Sequence, residues 1–466
     1  MIEHRMFTRW TQLVFVTLFI AGTAVAQQDG SSVLSTQQVS GAAKITRGAP
    51  STLSYEQAVQ LALENNLSTL LARERRNEAR GEKQQALSPL LPQVFGAAYQ
   101  ANTTVNLVAL GFQPGLFPGL NQTFIGPFKN FDARVRLSQT IFDLSSIQSY
   151  RAGRAGVRIA ELREALAREQ VVSATGLIYI EALRADRSVA AAQANVELAE
   201  ALVKLAQDQR NAGIATGVDV TRAQTRLAEQ QVSLAQAHTA SEQARLNLQR
   251  VVGLPLGSSL ALTDQLRFED RPVPTVETAV AQAQQDRREI QVVAEQNRVS
   301  ELELKAARAE YLPSLEVVGD YGSSGITPAL IDLPTRSISL QLNVPIFNGG
   351  LTSGRVTSAT SRLRQSELQL SNIRNDVEED VRVAMTTLNT AAAQVRAADE
   401  SVRLGQRELE MARDRFRAGV GDNLEVVSAQ TSLALATQAQ VSALAQHNAA
   451  RLNLATAIGR AEAFRW

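Results

Sequence analysis

The sequence contains no cysteine among its 466 residues. This absence excludes a disulfide framework, thiolate metal sites, cysteine nucleophiles and lipid attachment to an N-terminal cysteine. Histidine is scarce: besides His4 there are only His238 and His447, far apart and without metal-ligand spacing, so no metal site is expected. Aromatic residues make up only 5% of the chain. With abundant alanine and glutamine, this composition favours thin, closely packed helices.

The chain also lacks an excess of charge of either sign, with 47 Lys and Arg against 46 Asp and Glu. Nucleic acids and anionic membrane surfaces bind proteins through excess Lys and Arg, so neither is expected as the main partner. No P-loop, nucleophile elbow or glycine-rich dinucleotide motif after a strand occurs. The sequence therefore predicts no catalytic residues, no cofactor and no enzymatic activity.

The N-terminus has the pattern of a secretory signal. Arg5 and Arg9 precede an apolar run over 13–21, and the small-residue motif Ala24-Val25-Ala26 follows. This order predicts a signal peptide over 1–26 that is removed after Ala26. A transmembrane anchor is the alternative, but the run is far shorter than the roughly 20 residues that a spanning helix needs. Residues 27–50 are polar and predict a flexible leader or a strap on the surface.

The rest of the chain repeats one unit twice. The matching segments are Leu91-Pro92 with Leu312-Pro313, Ile141-Phe142 with Ile346-Phe347, Ala212-Gly213 with Ala418-Gly419, and Ala223-Gln224-Thr225 with Ala429-Gln430-Thr431. From Ala212 onward the offset is constant, since 418 − 212 and 429 − 223 both equal 206. We therefore expect a first repeat over 51–256, a linker over 257–275, a second repeat over 276–460 and a tail over 461–466.

Each repeat contains two stretches in which apolar and polar residues alternate, the pattern of strands with two unlike faces. In the second copy the apolar positions are Ile338, Leu340, Leu342, Val344 and Ile346; in the first they are Phe131, Ala133, Val135, Leu137 and Ile141. Weaker alternation precedes each stretch, with Phe95, Ala97, Tyr99 and Ala101 as apolar positions in the first copy. Four strands of about 10 residues have the length that crosses a bilayer in a transmembrane barrel.

A long helical pattern follows each strand pair. Its second copy has a seven-residue repeat of large apolar residues, each followed three positions later by Ala or Gly: Val381, Leu388, Val395, Val402, Leu409 and Phe416. Such a repeat predicts supercoiled helices that approach closely. Residues 145–211 lack proline and predict a helix of about 100 Å at 1.5 Å per residue. The helices are expected to turn at 213–217 and 419–421 and then to run back.

Together these patterns predict a mainly α fold with a small β part: a duplicated unit of long coiled-coil helices plus four strands. An open sheet edge does not survive in lipid, so four strands in a membrane require several chains to close one barrel of eight, twelve or sixteen strands. The helices would continue from such a barrel as a tube.

Several motifs, in this order and duplicated, resemble those of the TolC-like outer-membrane efflux channels. They are Leu53-Ser54-Tyr55-Glu56-Gln57-Ala58, Leu61-Ala62-Leu63-Glu64-Asn65-Asn66, Pro345-Ile346-Phe347-Asn348-Gly349-Gly350 and the two segments at 212–220 and 418–426. The resemblance covers residues 51–460. It implies a homotrimer with a twelve-strand barrel in outer-membrane lipid and a helical periplasmic tunnel. It also implies docking to a periplasmic adaptor protein and, through the adaptor, to an inner-membrane pump.

Two acidic residues at the helix turns are candidates for the pore entrance. Asp219 and Glu425 are equivalent, since 425 − 219 is 206. A carboxylate in the first turn of a helix is also favoured by the helix dipole, and that alone would account for Asp219. By resemblance, Glu425 corresponds to an acidic ring that would select cations, and Ser428 occupies the place of a second acidic position, which puts a double ring in doubt.

The turns and the polar strand faces supply the remaining candidates. By resemblance the adaptor docks at Gly213, Gly217, Val218, Gly419, Gly421 and Leu424, although two antiparallel helices need a glycine-rich turn in any case. Arg134, Arg136, Gln341 and Asn343 are expected to line a water-filled barrel lumen. The aromatic residues Phe117, Phe124, Phe128 and Phe131 suit either a membrane interface or packing within the adjacent loop.

Two other classes of protein share parts of this pattern. A periplasmic coiled-coil scaffold has long helices, but it has no use for two-faced strand pairs repeated in both copies. A periplasmic adaptor is expected to carry a single hairpin flanked by a lipoyl-like β segment. The sequence therefore favours a passive exit duct.

Overall fold

The computed structural model describes residues 40–45, 51–111, 123–270, 272–327 and 330–466, with the backbone alone for 330–333. The predicted signal peptide, its cleavage after Ala26 and the aromatic residue Phe117 lie outside these residues. The elements of the first half are β1 Thr52–Leu53, α1 Tyr55–Asn65, α2 Leu67–Leu87, β2 Gln93–Asn106, β3 Phe124–Phe142, α3 Leu144–Asn211 and α4 Gly217–Val252.

The second half repeats this order. Its elements are β4 Ala261–Leu262, α5 Val276–Asp286, α6 Arg288–Ala309, β5 Ser314–Thr327, β6 Leu330–Asn343, α7 Leu351–Arg417 and α8 Asn423–Ala457. In both halves two shorter helices lead into a strand pair, and a very long helix and its return helix follow. The duplication predicted from sequence is thus confirmed in the order of the elements.

The long helices have the predicted extent. α3 has 68 residues and α7 has 67, and each turns back through a short glycine-containing segment into α4 or α8. At 1.5 Å per residue each long helix spans about 100 Å. The predicted apolar seam of α7 is buried at Val381, Leu388, Val395, Leu409 and Phe416, and half-buried at Val402. The small residues that follow these positions let α8 approach closely: a Cβ at Gly405 would lie 3.4 Å from the Cα of Leu433.

The four longer strands form one antiparallel sheet in the order β2-β3-β5-β6. β2, β5 and β6 have 14 residues each and β3 has 19, so all four exceed the predicted length of about 10 residues. The alternation in the second copy continues past β6, because Val344 and Ile346 follow the last strand residue, Asn343. Within the described chain, β2 and β6 are the open edges of this sheet.

The strand register divides the sheet into two unlike faces, because residues directly opposite each other in antiparallel strands lie on the same face. Val135 lies opposite Tyr321, and Val317 lies opposite Leu340. The large apolar side chains on this face are Val135, Leu137, Tyr321, Ile338, Leu340 and Leu342, and all of them are exposed in the single chain. The same face also carries one arginine, Arg336, opposite Tyr321. The other face carries polar and charged residues: Asp132, Arg134, Arg136, Glu316, Asp320, Ser337 and Gln341.

The faces of β2 differ from the expectation. Phe95 lies opposite Arg136, and Tyr99 lies opposite Asp132, so these two aromatic residues occupy the polar face of the sheet. The apolar face receives Val94, Gly96 and Ala98 instead. The prediction failed because β2 has small or apolar residues at both parities, so its own alternation does not set its orientation. The orientation of β2 is set instead by its pairing with β3, whose two faces differ strongly.

An aromatic core lies where the two halves meet. Tyr179 of α3 donates a hydrogen bond to the carboxylate of Asp264 at 2.6 Å, and Asp264 also accepts from the backbone N–H of Tyr55 at 2.8 Å. Phe464 and Trp466 pack against Tyr55, with ring centroids 5.5 and 5.9 Å away. Residues of the predicted linker and tail therefore contribute side chains to a shared core.

A short part of the predicted leader is also described. The backbone N–H of Ala42 donates to the carbonyl of Arg250 at 2.9 Å, and that of Ala43 donates to Asn65 at 2.8 Å. These bonds hold residues 40–45 as a strap against α1 and the end of α4. Among the helices in the described ranges, none combines the length and apolarity needed to cross a membrane.

Candidate functional site

The two helix turns lie side by side at one end of the molecule. Leu202 of α3 and Phe416 of α7 share a buried cluster there with Val426 and Ala429 of α8. The side-chain amide of Asn423 donates to the backbone carbonyl of Asp219 at 2.8 Å and so joins the starts of α8 and α4. The structure thus brings the two predicted turns, 213–217 and 419–421, into one surface, which we call the tip.

Glycine is required at the tip for two different reasons. Gly213 and Gly419 have φ angles of +77° and +72°, a left-handed conformation that other residues rarely adopt. A Cβ at Gly421 would lie 2.9 Å from the Cβ of Arg415, so space is the constraint there. Gly217 has neither constraint, because a Cβ would meet nothing within 4 Å.

Four large apolar side chains are exposed at the tip. They are Ile214, Val218, Val420 and Leu424, with 56, 64, 70 and 55% of their surface accessible. Val218 and Leu424 were predicted individually as tip residues, whereas Ile214 and Val420 lie within the predicted turns 213–217 and 419–421 but were not singled out. A signal for them exists in the sequence: each directly follows the left-handed glycine of its repeat, and 420 − 214 is again 206.

A shallow groove runs along the start of α4 beside these residues. It is lined by Gly217, Val218, Thr221, Arg222 and Thr225, which share one face of the helix at spacings of three and four. Apart from Val218 and Arg222 the lining side chains are small.

Asp219 and Glu425 are equivalent in sequence but differ in their contacts. The carboxylate of Asp219 accepts from the backbone N–H and the hydroxyl of Thr216 at 2.8 and 2.7 Å, completing a capping box at the start of α4. These hydrogen bonds from Thr216 are the main reason that the pKa of Asp219 is lowered, and Arg222 contributes as well. Its position is therefore explained by helix capping.

Glu425 takes no part in a capping box. Asp422 caps α8 instead, its carboxylate accepting from the N–H of Leu424 at 3.1 Å. The carboxylate of Glu425 accepts from Nε of Arg415 at 3.1 Å, and both side chains are about half exposed. Arg415 was missed by the sequence reasoning because it lies ten residues upstream, across the glycine turn, where no helical spacing links the two. Ser428 is exposed one turn further along α8.

The predicted polar strand residues share one face of the sheet. Arg134 bridges two carboxylates, with Nε 2.6 Å from Asp132 and Nη1 2.8 Å from Asp320. Arg136, Gln341 and Asn343 lie on the same face by register. Of the aromatic residues near the first loop, Phe131 is on the apolar face, and Phe128, opposite Thr103, shares the face of Phe95 and Tyr99.

Comparisons with known proteins agree with this architecture. The family model described as "Outer membrane efflux protein" matches residues 58–254 and 279–460. The alkaline protease secretion protein AprF of Pseudomonas aeruginosa is 26% identical over 314 residues, which are 66% of this chain and 65% of that protein. The outer membrane protein TolC of Escherichia coli is 21% identical over 389 residues, 80% of this chain and 76% of TolC.

The fold is also found among solved structures. The outer membrane channel CmeC of Campylobacter jejuni superimposes with a TM-score of 0.76 at 19% identity, covering 87% of this chain and 86% of CmeC. VceC of Vibrio cholerae gives a TM-score of 0.74 at 17% identity, covering 87% of this chain and 96% of VceC. The two segments matched by the family model contain most of both repeats. The chain therefore belongs to the outer membrane efflux protein family and is a protein of the outer membrane.

Proposed function

We propose that the chain is the passive exit duct of an export system, built as a homotrimer whose chains each give four strands to one twelve-strand barrel. The observation that carries this proposal is the open four-stranded sheet, with unpaired edges at β2 and β6 and one exposed apolar face. In lipid each unsatisfied edge group costs several kcal/mol, so the edges of neighbouring chains must pair. Three chains close the barrel, and the apolar face then meets lipid.

In this duct the polar face of the sheet lines the lumen, including Arg134, Arg136, Gln341 and Asn343. The helices α3, α4, α7 and α8 continue the lumen into the periplasm as a tunnel. In this proposal an inner-membrane pump, reached through a periplasmic adaptor, provides the energy for export.

Pore formation is the first test of this proposal. We expect the purified protein to produce discrete conductance steps in a planar lipid bilayer, because the closed barrel holds a water-filled lumen. A protein that binds to the bilayer without producing steps contradicts the duct and favours a coiled-coil scaffold.

We further propose that the adaptor docks at the tip, against the groove at the start of α4 and its exposed apolar neighbours. Apolar side chains rimmed by polar ones are typical of protein interfaces. The small side chains of the groove leave room for a partner helix to approach. Gly217 offers the sharpest test, because a large side chain there meets no atom of its own chain.

The substitution Gly217→Trp is therefore expected to abolish adaptor-dependent export and to leave pore conductance unchanged. The matched control is Thr239→Trp, exposed on the same stripe of α4 and about 33 Å from Gly217 at 1.5 Å per residue. Normal export by the Gly217 variant, or an equal loss in both variants, contradicts docking at this groove.

A further inference from the structure

Arg136 and Phe95 lie directly opposite each other on the polar face of the sheet, in β3 and β2. The side chain of Phe95 is 59% exposed, and Arg136 is also exposed. Within the described part of the chain Arg136 makes no hydrogen bond or ion pair. The polar face thus carries an exposed cation beside an exposed aromatic ring.

The charged neighbours of Arg136 are already engaged. Asp320, which lies opposite Arg136 on β5, accepts from Arg134 at 2.8 Å and from the hydroxyl of Ser337. Glu316 accepts from the hydroxyl of Ser138 at 2.7 Å. The guanidinium of Arg136 is therefore free to bind a group that the chain itself does not supply.

We propose that Arg136 and Phe95 form a binding subsite for solutes that carry an anionic group attached to an aromatic ring. A guanidinium offers paired N–H donors that match a carboxylate, sulfonate or phosphate. The ring of Phe95 provides a surface on which an aromatic solute stacks. Tyr99, 52% exposed on the same face, extends this surface along β2.

This inference rests on the proposed duct, in which the polar face lines the lumen. Phe95 is the third residue of β2, so the subsite lies toward the end of the sheet from which the helices leave. Three chains would place three such subsites at one level, where every solute arriving from the tunnel passes.

The test is block of the current through single pores in a planar bilayer by naphthalene-2-sulfonate. Methanesulfonate serves as an anion without a ring. Arg136→Ala is expected to raise the half-blocking concentration by at least roughly tenfold, the effect of one lost charge-assisted hydrogen bond. Phe95→Ala is expected to raise it roughly threefold through lost stacking.

The sheet supplies matched controls on its opposite face. Arg336 and Tyr321 lie opposite each other there, and both are exposed. Arg336→Ala and Tyr321→Ala are expected to leave block unchanged. Block that is equal in the wild type and in Arg136→Ala, or block by methanesulfonate at the same concentration, overturns the subsite but not the duct. A wild-type protein that forms no pore overturns both.

Discussion

At the scale of single residues, Asp219 and Glu425 show how equivalent positions in a duplicated chain come to have different contacts. The carboxylate of Asp219 is bound by Thr216 and stabilises the first turn of α4. That of Glu425 contacts only Arg415 among the described residues, through an exposed pair of the kind that contributes little to stability. We therefore assign the proposed acidic ring at the pore entrance to Glu425 alone.

This assignment predicts opposite effects on ion selectivity. Glu425→Gln is expected to make the pore less selective for cations and less sensitive to block by divalent cations. Arg415→Ala is expected to increase cation selectivity, because the charge of Glu425 is no longer neutralised. The measurement is the reversal potential across a bilayer with a KCl gradient.

Asp219→Asn is the matched control for these two variants, because it removes a charge at the equivalent position. It is expected to leave the reversal potential unchanged while weakening the cap of α4. Equal shifts in Glu425→Gln and Asp219→Asn would falsify the assignment of the ring to Glu425.

A second residue, Glu169 of α3, is predicted to make stability depend on pH. Burial raises the pKa of Glu169 to about 7 from 4.5, and the guanidinium of Arg288, 3.3 Å away, offsets only part of this rise. Between these two values the unfolded chain has lost its proton while the folded chain keeps it, so stability falls as pH rises from 4.5 to 7.

Glu169→Gln is expected to remove this dependence. Relative to the wild type it should raise the unfolding temperature more at pH 8 than at pH 5, measured by circular dichroism in detergent. A difference between the two proteins that is the same at both pH values contradicts the role given to burial.

At the scale of elements, the long helices approach one another where glycine replaces a side chain. A Cβ at Gly176 of α3 would lie 2.5 Å from Cδ2 of Leu452 and 3.1 Å from a ring carbon of Tyr55. Leu452 is fully buried, so its side chain has little room into which to shift. Gly176→Ala is therefore expected to destabilise the fold by about 1–3 kcal/mol through overpacking.

Gly156 of the same helix is the matched control, since a Cβ there meets nothing within 4 Å. Gly156→Ala is expected to stabilise the protein by about 0.4–1 kcal/mol, because alanine loses less backbone entropy on folding. The two effects should appear with opposite signs in unfolding temperature, and the same sign for both contradicts the close approach at Gly176.

The helices and three of the four strands could be read from sequence because their patterns are local. The seam of α7 repeats every seven residues, and the side chains of β3 and β6 alternate between apolar and polar over 131–138 and 337–343. β2 could not be oriented in this way, because Phe95 and Tyr99 on one face compete with Val94 on the other. Its orientation depends on hydrogen bonding to β3, and the local sequence pattern of β2 does not show this long-range contact.

The candidate sites also differ in whether the sequence or only the long-range contacts reveal them. Duplication located the tip, since Gly213 recurs 206 residues later as Gly419. The equivalent positions of Asp219 and Glu425 in the repeat do not show that the first belongs to a capping box and the second to an ion pair. They depend on what stands at 216 and 422, and on an arginine at 415 whose counterpart in the first copy is Gln209. The different contacts of Asp219 and Glu425 therefore depend on positions at which the two repeats differ in sequence.

At the scale of the whole molecule, one chain is incomplete as a membrane protein. Its apolar sheet face is exposed and its edge strands lack partners, whereas its helical part has a buried seam and core of its own. We propose that the membrane half depends on other copies, and that the proposed pore, acidic ring and solute subsite all follow from their assembly.

The most direct test of this account is the native mass of the protein extracted from outer membranes in mild detergent. The account predicts a particle of three chains, in which β6 of each chain pairs with β2 of the next. A single chain in the detergent particle would contradict it, because the sheet would then keep two open edges in contact with lipid.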